Sequence, residues 1–278
     1  LDTDTEHSTK VQDAVFSRDK RYFLSVDAAG TVIMRRYDTF ETFWTGNFGD
    51  SGSKSAISFT LLSNAATDTS QEVFIVSNGN KAKIYNFTDT EFPNDVYSDA
   101  LVLSLNHDAV INSIDSLECD TLIATGGSDG LIKIWDLAYK GTRLPVTLNA
   151  GGDAVLSVAF APCSEGLDSS NDPVASNNYL VSGHTSGIAV IWEQIQNAEG
   201  STTWHKLATL EHDGSPVTSV TYSAPGLSMY YAINGRRVTS MILTGSGNKP
   251  RLFDTTDPGV PDYFGSLLFE FEFHRNST

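Results

Sequence analysis

Apolar and polar residues alternate in short blocks along this chain, and the clearest block covers residues 122–137. It opens on an apolar run at Leu122, reaches the turn sequence Ser128-Asp129-Gly130, and continues in a second apolar run that ends at Trp135. Ser and Asp side chains bond their own backbone, and glycine reaches positive φ, so this sequence favours a tight turn. A strand that is apolar on both faces is usually buried from both sides. The block therefore predicts a buried β-hairpin.

The same strand–turn–strand pattern recurs about every 45 to 60 residues. Five repeats of about four strands each are predicted, at residues 11–54, 55–104, 105–150, 151–210 and 211–278. A polar insertion interrupts the fourth repeat at residues 164–178, and residues 224–238 do not fit the template of the fifth. Since no segment has the 3.6-residue period of a long helix, the pattern predicts an all-β fold.

The last predicted strand, at residues 266–274, alternates cleanly between its two faces. One face carries Leu267, Phe269, Phe271 and Phe273, and the other carries Leu268, Glu270, Glu272 and His274. This period of two predicts a half-buried strand.

The Trp-Asp pair at residues 135–136, the turn before it and the recurrence of the pattern together resemble WD40 repeats. The resemblance implies a β-propeller, in which four-stranded blades are arranged radially. It also implies one propeller domain, or the larger part of one, within residues 1–278. WD40 propellers commonly have about seven blades. Five readable repeats, in a sequence that begins with Leu1, suggest that two blades lie outside this piece or have diverged beyond recognition.

In well-formed WD40 repeats, a His before the first strand, a Ser or Thr on the second, an Asp in the turn and a Trp on the third form a hydrogen-bonded set. By this resemblance, structural roles fall to His107, Thr125, Asp129 and Trp135 in the third repeat, Ser182 and Trp192 in the fourth, and His212 in the fifth. The fourth repeat has Gly152 at the His position and Ser186 at the Asp position. Truncating Trp135 is expected to destabilise the fold more than truncating Trp204.

The net charge of −16 is distributed unevenly. Residues 84–132 contain nine acids and no Lys or Arg, and residues 144–205 contain six acids and again no Lys or Arg. This charge argues against direct nucleic-acid binding, which needs clustered cations. The acids are either a solvated face that aids solubility or a surface that attracts a basic partner.

In a WD40 propeller, the leading loops and turns of the third to fifth repeats gather on one rim. The resemblance therefore makes this rim the candidate partner-binding surface, with Asp108, Ser128, Asp153, His184, Thr185, Asp213, Asn248 and Lys249 as its residues.

Catalytic, metal and cofactor motifs are not convincing in this sequence. The His-Asp pairs at residues 107–108 and 212–213 are isolated, which argues against metal ligation. The Gly-Asp-Ser-Gly sequence at residues 49–52 resembles a protease nucleophile motif, but it lacks the His and Asp that such proteases place well upstream. The two cysteines, Cys119 and Cys163, are far apart in sequence and have no metal-binding or redox spacing, which indicates buried or edge thiols in a reducing compartment. No apolar run approaches the roughly 20 residues that a membrane span needs.

These observations predict a non-catalytic scaffold or adaptor subunit of a larger multiprotein complex, in the cytoplasm or the nucleus. Its expected partners are other protein subunits, with a basic segment as one candidate, and no cofactor is expected. Two alternatives stay open. The first is a reader of a basic peptide such as a histone tail. The second is a propeller enzyme or small-ligand binder that uses the central channel.

Overall fold

A computed structural model describes most of the chain. It covers residues 7–48, 54–64, 69–86, 101–117, 121–139, 144–162, 179–196, 201–223, 229–231, 236–238, 240–247, 249–256, 259, 262 and 264–271. The insertion at residues 164–178, both cysteines and Asn248 lie outside the described residues. The chain divides into two compact units, Leu1–Gly152 and Asp153–Thr278.

Unit 1 contains three antiparallel four-stranded sheets, here called blades 1 to 3, whose strands pair in chain order. Blade 1 consists of β1 (Val11–Phe16), β2 (Tyr22–Asp27), β3 (Thr31–Arg36) and β4 (Thr42–Asn47). Blade 2 consists of β5 (Ile57–Asn64), β6 (Thr69–Asn78), β7 (Lys81–Asn86) and β8 (Leu101–Asn106). Blade 3 consists of β9 (Ile111–Ser116), β10 (Leu122–Gly127), β11 (Leu131–Asp136) and β12 (Val146–Asn149), with a 3-10 turn at Leu137–Tyr139.

Unit 2 contains two further four-stranded antiparallel sheets, blades 4 and 5. Blade 4 consists of β13 (Val155–Phe160), β14 (Tyr179–His184), β15 (Ile188–Gln196) and β16 (Thr202–Glu211). Blade 5 consists of β17 (Val217–Tyr222), β20 (Met241–Ser246), β21 (Arg251–Asp254) and β22 (Leu267–Glu270). A small hairpin of β18 (Met229–Tyr231) and β19 (Arg236–Val238) accounts for part of the irregular segment before β20.

The second strand of a blade is its most buried element, as the apolar runs predict. All six residues of β10 are buried, and β10 pairs with β9 on one side and β11 on the other. The turn between β10 and β11 has Gly130 at a φ of 79°, a conformation that glycine adopts without a steric penalty. The sequence-based prediction of five four-stranded blades of the WD40 β-propeller type is therefore confirmed.

The sequence pattern does not identify the covered face of the last strand, and the structure does. Leu267, Phe269 and Phe271 are 49%, 55% and 40% exposed, whereas Glu270 on the opposite face is half-buried. Glu270 lies directly opposite Arg251 of β21, and the guanidinium bonds its carboxylate at 2.6 Å. Residues 272–274 lie outside the described residues.

The structure shows only one short helical turn among the residues that it describes. None of these residues belongs to a helix with the length and apolar character needed to cross a membrane.

Candidate functional site

Blade 3 holds a connected set of four polar side chains between its leading loop and its hairpin. The His107 ring lies within 3.0 Å of the Asp129 carboxylate through Nδ1 and within 2.8 Å of the Thr125 hydroxyl through Nε2. The indole N–H of Trp135 donates to the same hydroxyl at 3.0 Å. His107 and Thr125 are buried, so each of these bonds satisfies a polar atom that water does not reach.

The direction of each bond in this set follows from its partners. Burial lowers the pKa of His107, although the Asp129 carboxylate opposes the shift, so the imidazole is neutral near pH 7. A carboxylate only accepts hydrogen bonds, so Nδ1 carries the ring proton and Nε2 accepts one from the Thr125 hydroxyl. Protons are therefore donated from Trp135 to Thr125, from Thr125 to His107 and from His107 to Asp129.

Blade 4 builds the same kind of network from a different chain position. The His184 ring, on the second strand of the blade, bonds the Ser182 hydroxyl at 2.8 Å through Nε2. The Trp192 indole N–H donates to that hydroxyl at 2.9 Å, as Trp135 does to its threonine. The Nδ1 atom lies 3.5 Å from the backbone carbonyl oxygen of Asp153, so a carbonyl takes the place of the turn carboxylate.

His184 is therefore not the exposed rim residue that the sequence predicted. It is 1% exposed, and burial lowers its pKa, so it lies inside the blade as a neutral ring. Gly152 stands at the usual His position, and the chain compensates by supplying the imidazole two residues after Ser182.

Blade 1 contains a related set that the sequence analysis missed. His7 Nε2 lies 2.8 Å from the Ser25 hydroxyl, and His7 Nδ1 lies 3.4 Å from the Asp27 carboxylate. A signal was present, because His7 precedes Ser25 by 18 residues, the same spacing that separates the bonded pair of blade 3. Arg35 at the Trp position made this repeat look degenerate.

Blade 5 keeps a reduced form of the set. The His212 Nε2 atom lies 2.8 Å from the Thr244 hydroxyl, and the Phe253 ring meets the imidazole edge-on at a centroid distance of 5.8 Å. Burial lowers the pKa of His212, with Arg251 acting in the same direction.

Glycines make room for these sets. A Cβ atom at Gly127 would overlap both the His107 ring and the Asp129 carboxylate. A Cβ atom at Gly130 would come within 2.7 Å of the carbonyl oxygen of Gly152, which lies in the leading loop of the next repeat. A side chain at either glycine would push apart backbone and polar groups that the blade holds in contact.

The other predicted partner-binding residues lie mainly in exposed loops. Asp108, Ser128, Asp153 and Thr185 are all exposed. The backbone N–H of Asp108 bonds Asp129 at 3.3 Å, which leaves the carboxylate of Asp108 in solvent. Among the described residues, no ion pair includes the carboxylate of Asp108 or of Asp153.

Two candidates in blade 5 already have charged neighbours. Lys249 lies 3.3 Å from Glu270, and Glu270 also pairs with Arg251. Asp213 is exposed, and the backbone N–H of Ser215 holds the pKa of its carboxyl below the usual range, with Arg251 adding to the effect. The remaining candidate of this blade, Asn248, lies outside the described residues.

Among the residues that the structure describes, no group of three or more His, Cys, Asp or Glu side chains is placed to hold a metal ion.

Comparison with known proteins agrees with this geometry. Residues 100–136, which span β8 to β11, match the family described as WD domain, G-beta repeat. The chain contains a WD40 repeat. The matched segment includes the complete set of blade 3, and the other four-stranded sheets are consistent with further WD40 blades.

Curated relatives carry the name Restriction of telomere capping protein 1. The protein of Eremothecium gossypii is 36% identical over 98 residues, which are 32% of this chain and 7% of that protein. The Kluyveromyces lactis protein is 36% identical over 93 residues, with 32% and 7% covered. The Lachancea thermotolerans protein is 26% identical over 165 residues, with 54% and 12% covered. The matches thus cover a small part of the length of these relatives.

Proposed function

We propose that this chain is a non-catalytic interaction scaffold or adaptor within a larger multiprotein complex. The observation that carries the proposal is that histidines, a residue type common in catalytic sites, form hydrogen bonds within the blades. The described imidazoles of His7, His107, His184 and His212 all bond hydroxyl groups of their own blades. Residues that an enzyme would aim at a substrate instead hold strands to loops, and the loops provide the contact surface.

A more specific candidate is the recognition of a basic segment, such as a histone tail. The exposed carboxylates of Asp108 and Asp153 support it, because neither has an ion-pair partner among the described residues. One cation limits the negative charge of the first loop, since Lys133 Nζ bonds the carbonyl oxygen of Asn106 at 2.8 Å. A basic partner would be steered to the carboxylates at long range, with an affinity that falls as salt rises.

Charge reversal tests this candidate without disturbing the blades. The interactions that Asp108 and Asp153 make with their blades use a backbone N–H and a backbone carbonyl. Asp108→Lys combined with Asp153→Lys should therefore leave the melting temperature within about 2 °C of the wild type. The combined variant should slow association with a basic partner by about tenfold or more. Asp262→Lys reverses an exposed charge outside these loops and serves as the matched control.

The readout starts from affinity purification of the full-length protein and mass spectrometry of its co-purifying subunits. Stable retention of a defined set of proteins, lost or weakened in the combined variant, supports the scaffold proposal and a role of the acidic loops in docking. A folded variant that retains every partner at wild-type rates overturns that role of the loops. A reproducible turnover of substrate that is lost on mutation of a single residue overturns the non-catalytic proposal.

The proposal places the protein in the cytoplasm or the nucleus. The name of the curated relatives refers to telomere capping, which supports examining the nucleus first. Fluorescence microscopy of the tagged full-length protein distinguishes the two compartments.

A further inference from the structure

One end of blade 1, where β1 ends and β3 connects to β4, presents three aromatic side chains to solvent. Phe16, Tyr37 and Phe40 are 50%, 49% and 64% exposed. The ring centroids of Phe16 and Tyr37 are 5.6 Å apart, and those of Tyr37 and Phe40 are 6.0 Å apart. Scattered exposed apolar residues are normal on protein surfaces, but aromatic rings in contact with one another form a patch that marks an interaction site.

Two adjoining cavities open beside this aromatic row. The larger has a volume of about 440 Å³, and its apolar wall is formed by Val15, Phe16 and Phe59. The smaller has a volume of about 340 Å³, and both cavities are lined by Lys20 and Tyr37. A cavity of the larger size, with an apolar wall and a few polar groups, can enclose one large side chain of a bound peptide and part of its backbone.

The two cavities are unusually rich in cations for so acidic a chain. Their lining includes the basic residues Arg18, Lys20, Arg21 and Arg36 and the acidic residues Asp38 and Asp115. Across the whole sequence acids outnumber bases by 34 to 18, whereas here the four bases exceed the two acids. Two further acids flank the lining, since Asp19 pairs with Arg21 and Glu72 accepts the backbone N–H of Arg18. The excess of basic residues is therefore confined to the cavity walls, where it favours an acidic ligand.

Backbone strain coincides with this end of the blade. Lys20 and Phe40 have φ values of 58° and 57°, and they are the non-glycine residues with positive φ in the described chain. This conformation favours glycine or asparagine, and strained residues of this kind concentrate at binding sites. The two strained positions hold the cation shared by both cavities and the most exposed ring of the aromatic row.

We propose that this end of the blade, the blade 1 cleft, binds an acidic peptide segment that inserts an aromatic or large aliphatic side chain into the 440 Å³ cavity. The cleft is separate from the acidic loops discussed above. Asp115 and Ser116 line it at the end of β9, whereas Asp108 precedes the start of that strand. The inference thus adds a second site, for a ligand of the opposite charge.

Selection from a random peptide library displayed on phage, against the immobilised chain, tests the proposal. We expect enrichment of sequences in which an aromatic or aliphatic residue is flanked by Asp and Glu. Fluorescence anisotropy with a selected peptide should then show about a tenfold or greater loss of affinity in Tyr37→Ala and in Lys20→Glu. Two controls should bind normally: Phe269→Ala, which truncates a ring that is 55% exposed in blade 5, and Lys10→Glu, at the opposite end of β1 from Phe16.

Lys20→Gly separates a binding role from a structural one. Glycine relieves the strain at a φ of 58°, so this variant should melt at a higher temperature and still bind the peptide more weakly. Asp108→Lys with Asp153→Lys should leave peptide binding unchanged, which distinguishes the cleft from the acidic loops. Absence of acidic-aromatic sequences from the selection, or selected peptides that bind equally well to Tyr37→Ala and Lys20→Glu, would overturn the proposal.

Discussion

The hydroxyl group of Thr125 connects the polar set of blade 3, and its removal should have a measurable cost. Thr125→Val keeps the shape of the side chain but removes the donor to His107 Nε2, at 2.8 Å, and the acceptor of the Trp135 N–H, at 3.0 Å. Each partner left unsatisfied costs about 1–2 kcal/mol, and the added methyl group returns about 0.8 kcal/mol. The expected net loss of unfolding free energy is about 1–3 kcal/mol.

Thr60→Val is the matched control within the same unit. Thr60 and Thr125 are both 0% exposed, but the Thr60 hydroxyl has no hydrogen-bond partner among the described residues. Replacing an unpaired buried hydroxyl by a methyl group removes an unsatisfied polar atom, so this variant should be as stable as the wild type or more stable.

Thermal unfolding followed by calorimetry and urea unfolding followed by tryptophan fluorescence measure both variants. For a protein of this size, about 1 kcal/mol corresponds to a shift of about 2–4 °C in Tm. Thr125→Val should therefore melt several degrees below Thr60→Val. Equal losses for the two valine variants would contradict the reasoning, since both remove one buried hydroxyl and only one of them breaks a network.

Three further predictions follow from burial and pKa. Burial lowers the pKa of His107, His184 and His212, so the unfolded chain takes up protons first as the pH falls. The stability that these neutral rings contribute should be complete above about pH 6.5 and should decline below it. Measuring Tm against pH checks this expectation. A variant with all three histidines replaced by Gln should show a shallower fall of Tm with pH. Gly127→Ala should lower Tm by several degrees, because the added Cβ overlaps the side chains of His107 and Asp129. The backbone amides of these two residues should also exchange hydrogen faster than in the wild type. Trp204→Ala should cost about 3–5 kcal/mol in urea unfolding, since the ring is only 9% exposed.

The sequence predicts the polar set correctly where each residue of the set stands at its usual position in the WD40 pattern. In blade 3 the His, Thr, Asp and Trp stand at the expected offsets, and the structure brings all four side chains together. In blade 4 the spacing gives Gly152 at the His position and offers no reason to look at His184, because the imidazole comes from the second strand. A spacing rule identifies chain positions, whereas the network requires only that a ring nitrogen reach a hydroxyl.

Burial is the second quantity that the pattern leaves open. Alternation at β22 separates an aromatic face from an acidic one, but it does not say which face the neighbouring strand covers. The ion pair of Glu270 with Arg251 is likewise absent from the pattern, because it depends on the register between β21 and β22. Trp204 was likewise expected to matter less than Trp135, yet it is buried against Phe160 at a centroid distance of 6.2 Å, whereas Trp135 is half-buried.

The six residues of β9 have a consequence for how two ligands would be held. Asp108 precedes one end of this strand, and Asp115 lines the blade 1 cleft at the other. At about 3.3 Å per residue, the strand separates its ends by roughly 20 Å. A basic segment and an acidic segment bound at these ends would be kept about two Debye lengths apart, too far to neutralise each other directly at physiological salt. The length of β9 would then set the distance between two bound segments of opposite charge.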